Sequence, residues 1–144
     1  MVRKFASEQT ENSGELPNRD TCATPHLPRR AAIDGYGKGG FSFAGMSHRG
    51  SLLCLPSGIW AWPVAQPSEI DEAALARVFA EAADIGLFLI GAGRGAWVMP
   101  DPLRLRFHQA KLSVEVSRTG TAVSTYNILL GEGRRVAAGL IAVE

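Results

Sequence analysis

The chain has 144 residues, of which 46% are hydrophobic and 20% are charged, and its formal net charge is +1. This length predicts a single domain that can bury a core without disulfides or metal ions. The near-neutral charge argues against a general nucleic-acid-binding protein, because no excess of cations is available to neutralise phosphates. We recognise no secretory signal, organelle presequence or membrane-spanning run, so we expect a soluble cytoplasmic protein.

Residues 1–30 predict a disordered polar tail, and residues 31–144 form the predicted domain. Apolar side chains are scarce in the tail, and three prolines interrupt it, so it cannot bury enough surface to offset its ordering entropy. Cys22 in the tail and Cys54 in the domain have neither metal-binding nor disulfide spacing. The apolar neighbours of Cys54 favour a buried, unreactive thiol.

The first half of the domain is rich in predicted strands. Residues 33–43 predict two short strands joined by a glycine-rich turn. The apolar run at residues 50–56 predicts a buried strand, and residues 59–63 predict its return strand after a turn.

A helical period begins at residue 68. Ser68 can cap a helix that continues to Asp84, and Gly86 suits the left-handed residue after the last turn. The apolar side chains on its predicted inner face are Ile70, Ala74, Leu75, Val78, Phe79 and Ala82.

Strands and helices then alternate to the end of the sequence. The pattern predicts strands at residues 87–90, 113–116 and 136–143 and helices at residues 101–110 and 121–132. This alternation indicates parallel or mixed pairing with helical crossovers. The predicted fold class is therefore α/β, of mixed α+β character, with about three helices against one mixed sheet.

The loop that leaves the first of these strands is rich in glycine. Gly91, Gly93 and Gly95 surround Arg94 in a pattern close to a dinucleotide-binding fingerprint, in which glycines let backbone amides approach a pyrophosphate. The third glycine comes one residue early and no helix follows directly, so a simple backbone turn is favoured. No cofactor is predicted, and these four residues are the candidates for an alternative function, the binding of a small molecule or nucleotide.

No catalytic constellation is recognisable in the sequence. His26, His48 and His108 have no second ligand at metal-binding spacing, and no serine lies in a nucleophile elbow. We therefore predict a protein that is not an enzyme and that has no metal site.

Charge is distributed unevenly along the domain. Residues 31–84 contain three Lys/Arg and six Asp/Glu, whereas residues 85–144 contain seven and four. Arginine dominates the second half; its planar guanidinium suits carboxylate or phosphate partners, although such cations also often only face solvent. The candidate partner-binding residues are Arg94, Arg104, Arg106, Arg118, Arg134, Arg135 and Trp97.

A long motif lies near the C-terminus. Residues 124–141 read STYNILLGEGRRVAAGLI, preceded in order by GSLLCLP at 50–56, LIGAG at 89–93 and VEV at 114–116. These segments resemble a largely uncharacterised family of small α/β domains that includes mitochondrial complex I assembly factor three and an adipogenesis-associated domain protein. The resemblance extends over residues 33–143.

This resemblance implies one domain with a mixed sheet, helices against it and an extra small β layer. It implies no enzyme activity and no cofactor, and the leading hypothesis is an assembly factor that binds a protein partner, in the context of respiratory or membrane complexes. The family often has threonine where Ala92 stands and a Cys-Arg pair where Val123 and Ser124 stand. Without a recognisable presequence, the chain is expected to be a bacterial-type member.

Overall fold

A computed structural model describes residues 24–144. Residues 1–23, most of the predicted disordered tail, lie outside the described residues. Residues 24–30 lie against the domain: the Ile59 amide donates to the Leu27 carbonyl (2.9 Å), and the His26 amide donates to the Ile59 carbonyl (2.7 Å). Ordered contacts with the sheet therefore begin before residue 31.

Three short antiparallel strands form a small sheet. They are β1 (Gly35–Gly37), β2 (Gly40–Phe43) and β3 (Met46–Arg49). The turn between β1 and β2 places Lys38 and Gly39 at φ 53° and 80°, the left-handed backbone that a tight hairpin requires. The predicted strand pair and the implied small β layer are confirmed. The sequence does not predict β3, because its residues are mostly exposed and show no apolar alternation.

The main sheet has five strands in the order β5-β4-β8-β6-β7. They are β4 (Ser51–Leu55), β5 (Gly58–Trp62), β6 (Leu87–Gly91), β7 (Ser113–Ser117) and β8 (Val136–Leu140). Strand β6 is parallel to β7 and β8, whereas β4 is antiparallel to β5 and β8. The predicted mixed sheet is therefore confirmed, with the buried strand β8 at its centre.

Three helices cover the main sheet: α1 (Ala76–Ala80), α2 (Asp101–Gln109) and α3 (Thr119–Gly131). The prediction of about three helices is confirmed. Helix α3 begins two residues earlier than predicted, because Arg118 rather than a later residue forms its N-cap.

Each face of the main sheet has its own hydrophobic core. On one face, α1 and α2 contribute Val78, Leu103 and Phe107, which pack with Phe88 and Ile90 of β6. On the opposite face, α3 and the small sheet contribute Ala122, Val123, Tyr126, Phe41 and Phe43. The domain thus has three layers, with the main sheet in the middle.

The prediction of one continuous helix over residues 68–84 is wrong. The chain instead forms two short 3-10 turns, Pro67–Glu69 and Ala82–Asp84, on either side of the five-residue α1. The Trp62 indole N–H donates a hydrogen bond to the Ala74 carbonyl (2.9 Å). The backbone is extended at Ile70 (φ −78°, ψ 106°), which separates the first 3-10 turn from α1.

Both predicted ends of that helix are also corrected. Ser68 lies inside the first 3-10 turn, where Gln66 and Glu69 form the capping box. Gly86 is not left-handed; its amide donates to the Arg135 carbonyl (2.6 Å) as the chain enters β6. The predicted inner face is only partly right: its members Ile70, Leu75 and Val78 are buried, whereas Ala74, Phe79 and Ala82 are half-buried.

Candidate functional site

An open groove of about 790 Å³ lies at the edge of the main sheet where the parallel strands β6 and β7 end. Helix α3 begins at the same place, and the backbone dipoles of its first turn give this region a partial positive charge. We call this surface the arginine groove. The residues that line it include Tyr36, Gly93, Arg94, Arg118, Thr121, Ser124, Thr125 and Glu144.

The predicted glycine loop forms one wall of the arginine groove. A Cβ atom at Gly91 would lie only 2.9 Å from the Thr119 Cα atom, and Gly93 has a positive φ of 94°. Both positions therefore require glycine for backbone geometry. At Gly95 a Cβ atom would meet nothing within 4 Å, so packing does not require glycine at that position.

Thr119 connects the three chain segments that meet beside the groove. Its fully buried hydroxyl accepts a hydrogen bond from the Gly93 amide (3.0 Å) and donates one to the Ile141 carbonyl (2.7 Å). The Thr119 amide donates to the Gly93 carbonyl (2.9 Å), and the Ala92 amide donates to the Ser117 carbonyl (2.8 Å). The amides of Ala92 and Gly93 are thus used within the protein.

Thr119 was not predicted as a site residue from the sequence. The signal that could have found it is a threonine at the start of a helix, where hydroxyl side chains commonly satisfy free backbone groups. Its partners lie 26 and 22 residues away in the sequence, so the pattern around Thr119 does not identify them.

Two of the predicted arginines meet in the arginine groove. The Arg94 guanidinium donates to the backbone carbonyl of Glu144, and Arg118 is the exposed N-cap residue of α3. Within residues 24–144, neither guanidinium forms an ion pair with an acidic side chain. Together with the hydroxyls of Ser124 and Thr125, they suit an anionic group, because charged donors form the stronger hydrogen bonds.

Arg106 and Trp97 serve the packing of the domain. The Arg106 guanidinium pairs with the Glu72 carboxylate (2.9 Å) and lies 4.2 Å from the centre of the Phe79 ring. Trp97 is half-buried against the core on the α1–α2 face. Both residues therefore contribute to contacts within the chain.

The other three arginines lie away from the arginine groove. Arg134 and Arg135 precede β8; the former lies 3.9 Å from the Glu132 carboxylate and the latter donates to the Ala83 carbonyl (3.3 Å). Arg104 lines a separate groove beside β7. Of the six predicted arginines, the structure brings only Arg94 and Arg118 together.

Cys54 and Tyr126 are two buried side chains with titratable groups. Burial raises the pKa of the Cys54 thiol to about 12, which keeps it protonated and unreactive at neutral pH. Burial also raises the pKa of the neighbouring Tyr126 hydroxyl. Among residues 24–144, no three His, Cys, Asp or Glu side chains are placed to hold a metal ion.

Two polar residues of the long C-terminal motif hold the domain together. Asn127 accepts a hydrogen bond from the Ile33 amide (2.9 Å) and donates one to the Ile33 carbonyl (2.8 Å). The Tyr126 hydroxyl donates to the Ala31 carbonyl (3.3 Å). These contacts attach the chain before β1 to α3, so both side chains serve the fold.

A family model described as a protein of unknown function, DUF498/DUF598, matches residues 33–141. The chain belongs to this family. The resemblance inferred from the motifs is therefore confirmed.

Relatives of this DUF498/DUF598 protein include bacterial and mitochondrial proteins. An uncharacterised protein of Rhodobacter capsulatus is 37% identical over 109 residues, covering 76% of this chain and 82% of that protein. NADH dehydrogenase [ubiquinone] 1 alpha subcomplex assembly factor 3 of Homo sapiens is 29% identical over 119 residues, covering 80% of this chain and 65% of that protein. The mouse factor is 28% identical, and the match covers 80% of this chain and 62% of that protein. The chain thus spans less than two thirds of these two assembly factors.

Solved structures share the DUF498/DUF598 fold. A Bartonella henselae protein named an outer membrane protein is 45% identical, with a TM-score of 0.80 over 83% of this chain and 100% of that one. A Rhodopseudomonas palustris protein is also 45% identical, with a TM-score of 0.74 over 99% of this chain and 93% of that one. In the described residues, every helix is too short or too polar to cross a membrane.

Proposed function

We propose that this protein is a non-catalytic assembly factor that binds a protein partner at the arginine groove. The observation that carries the proposal is that Arg94 and Arg118 line one open surface, where neither guanidinium forms an ion pair with an acidic side chain of residues 24–144. Glu144 lies in the same lining and contacts Arg94 through its backbone carbonyl. The names of the mouse and human relatives support a partner from a respiratory or other membrane complex. The predicted compartment is the cytoplasm.

The chemistry of the groove favours an acidic segment of that partner. Guanidinium groups bind carboxylates with two parallel hydrogen bonds, and the amino-terminal turn of α3 adds to the positive potential. The loop amides of Ala92 and Gly93 already have partners, so side chains would provide most of the recognition. An open groove also leaves room for a chain segment to enter and leave along its length.

The test is quantitative affinity purification of the full chain from its native cells, alongside Arg94→Glu and Arg118→Glu variants. We expect subunits of a respiratory or membrane complex to copurify with the unmodified chain. The amount of these subunits should be at least about tenfold lower with either variant, because charge reversal turns attraction into repulsion. Arg134→Glu is the matched control, since Arg134 is exposed and lies outside the groove. Recovery of the chain alone, or equal capture by all four proteins, would contradict the proposal.

A second candidate function is the binding of a small anionic molecule such as a nucleotide. It is favoured by the groove volume of about 790 Å³, which falls within the usual range for ligand sites, and by Gly93 and Arg94 in its lining. Thermal unfolding with nucleotides and phosphorylated metabolites tests it. A true ligand at 100 times its Kd adds about 2.7 kcal/mol to the free energy of unfolding. No stabilisation at ligand excess would exclude this function, and loss of stabilisation in Arg118→Glu would locate the site.

A further inference from the structure

The two edges of the main sheet differ within the described part of the chain. At the β5 edge, the backbone of His26 and Leu27 forms hydrogen bonds with Ile59. At the opposite edge, β7 pairs with β6 on one side only. Residues 24–144 therefore cover one edge and leave the other open.

The orientation of β7 identifies its free backbone groups. The Ser117 carbonyl accepts a hydrogen bond from the Ala92 amide, so Ser117 directs its backbone groups towards β6. Backbone groups of successive residues point to alternate sides of a strand. The amides and carbonyls of Val114 and Val116 consequently point away from the sheet, and no contact within residues 24–144 uses them.

Strand β7 lacks most of the features that protect open edges. Natural edge strands commonly carry proline, lysine or a bulge. β7 has the sequence SVEVS, with regular pairing to β6 and a single charged residue, Glu115. Val114 and Val116 are half-buried against the core on the α1–α2 face, and Glu115 is exposed on the face of α3.

A positively charged groove adjoins this edge. It has a volume of about 430 Å³ and is lined by Arg104, Phe107, His108, Lys111, Leu112 and Val114, and we call it the α2–β7 groove. Arg104 and His108 lie one turn apart on α2, Lys111 follows the end of that helix, and all three side chains are exposed. Within residues 24–144 none of the three forms an ion pair. Val114 belongs both to the groove and to the open edge, so the two surfaces are continuous.

We propose that β7 is a second docking site, which receives an extended acidic segment of a partner protein as an added strand. The main chain of the segment pairs with Val114 and Val116, and its carboxylates on the α2 side contact Arg104 and Lys111. The side chains that the segment presents on the α3 face lie beside Glu115 and are neutral or basic. A second copy of β7 is a poor occupant, because antiparallel pairing of SVEVS with itself places Glu115 opposite Glu115.

The probe is a seven-residue synthetic peptide of alternating threonine and glutamate, titrated into the full 15N-labelled chain and followed by NMR. We expect chemical-shift changes over residues 113–117 and amide exchange slowed at least about tenfold at Val114 and Val116, because new backbone hydrogen bonds protect those amides. Arg104→Glu and Lys111→Glu should each weaken binding about tenfold. Arg118→Glu should leave it unchanged, which separates this site from the arginine groove.

Control peptides make the outcome decisive. A peptide with lysine in place of glutamate, and one with N-methylated backbone amides, should both fail to bind at the same concentrations. Equal binding of either control overturns the proposal, as do shift changes confined to the arginine groove. Strong protection of the Val114 and Val116 amides in the free chain also overturns it, because the edge is then already covered by another part of the chain or by a second copy.

Discussion

The two layers that cover the main sheet are built in different ways. On one face, residues 66–85 bury apolar side chains such as Leu75 and Val78 through a chain broken into short turns. On the other face, the 13-residue helix α3 is attached to neighbouring segments by hydrogen bonds from Thr119 and Asn127 to the backbone. Polar contacts of the first layer, such as the Arg106–Glu72 pair, are exposed, whereas the Thr119 hydroxyl of the second layer is fully buried.

This difference determines which layer positions the arginine groove. Thr119 and Arg118 belong to the amino-terminal end of α3, and the hydrogen bonds of Thr119 hold the loop that carries Arg94. The segmented layer contributes no residue to the groove. Damage to the two layers should therefore affect stability and partner binding in different proportions.

The largest loss of stability is expected from Leu75→Ala. Leu75 is fully buried, so truncation leaves a cavity and should lower the free energy of unfolding by about 2–5 kcal/mol. Urea denaturation measures the change, and the exposed Leu105→Ala is the control, with an expected change below about 0.5 kcal/mol. The folded fraction of Leu75→Ala should still bind its partner; a selective loss of binding would show that the segmented layer also shapes the groove.

A smaller loss of stability but a larger loss of function is expected from Thr119→Val. The substitution keeps the shape of the side chain but leaves the Gly93 amide and the Ile141 carbonyl without their partner, at a cost of about 1–3 kcal/mol. Release of the loop should also weaken partner capture. The control is Ser68→Ala, which removes an exposed hydroxyl outside the groove. Unchanged stability in Thr119→Val would contradict the role assigned to its hydroxyl.

The smallest expected effect is a pH dependence of the free energy of unfolding, caused by His48 at the border of the α3 layer. The His48 ring lies 4.3 Å from the His26 ring, and burial together with the charge of His26 lowers the pKa of His48 below its ordinary value of 6.5. The unfolded chain therefore takes up the proton first, so the free energy of unfolding should decrease as pH falls below about 6.5. Urea denaturation from pH 7.5 to 5 in the unmodified chain and in His48→Asn measures this slope.

His48→Asn should show a shallower dependence on pH than the unmodified chain, and the exposed His108→Asn serves as the matched control. An identical slope in the unmodified chain and in His48→Asn would exclude a contribution from this pair of rings.

Local patterns were sufficient to predict most of the fold. The apolar run at β4, the alternation of strands and helices after residue 86, and the Gly133 stop after α3 all depend on neighbouring residues. The broken helix before β6 could not be predicted in this way, because its apolar spacing fits a continuous helix, whereas the backbone is extended at Ile70. The spacing of apolar residues identified its most deeply buried positions, but not the course of its backbone.

The site was predicted less completely than the fold. The arginine-rich second half drew attention to Arg94 and Arg118, but composition could not separate them from Arg106, which the fold pairs with Glu72. The glycine loop was interpreted as a matter of backbone geometry, and the close approach at Gly91 and the positive φ of Gly93 agree with that interpretation. Which charges share a surface depends on the order of strands, and that order brings the ends of β6 and β7 together.

The central place of β8 has a consequence for synthesis on the ribosome. The β4–β5 hairpin and the β6–β7 pair are joined only through β8, whose residues 136–140 are translated after both. Until those residues emerge from the exit tunnel, the inner edges of β4 and β6 lack the strand that pairs with both of them in the finished domain. Completion of the domain is therefore a late event with long-range contacts, and the unpaired strand edges of the unfinished chain favour aggregation.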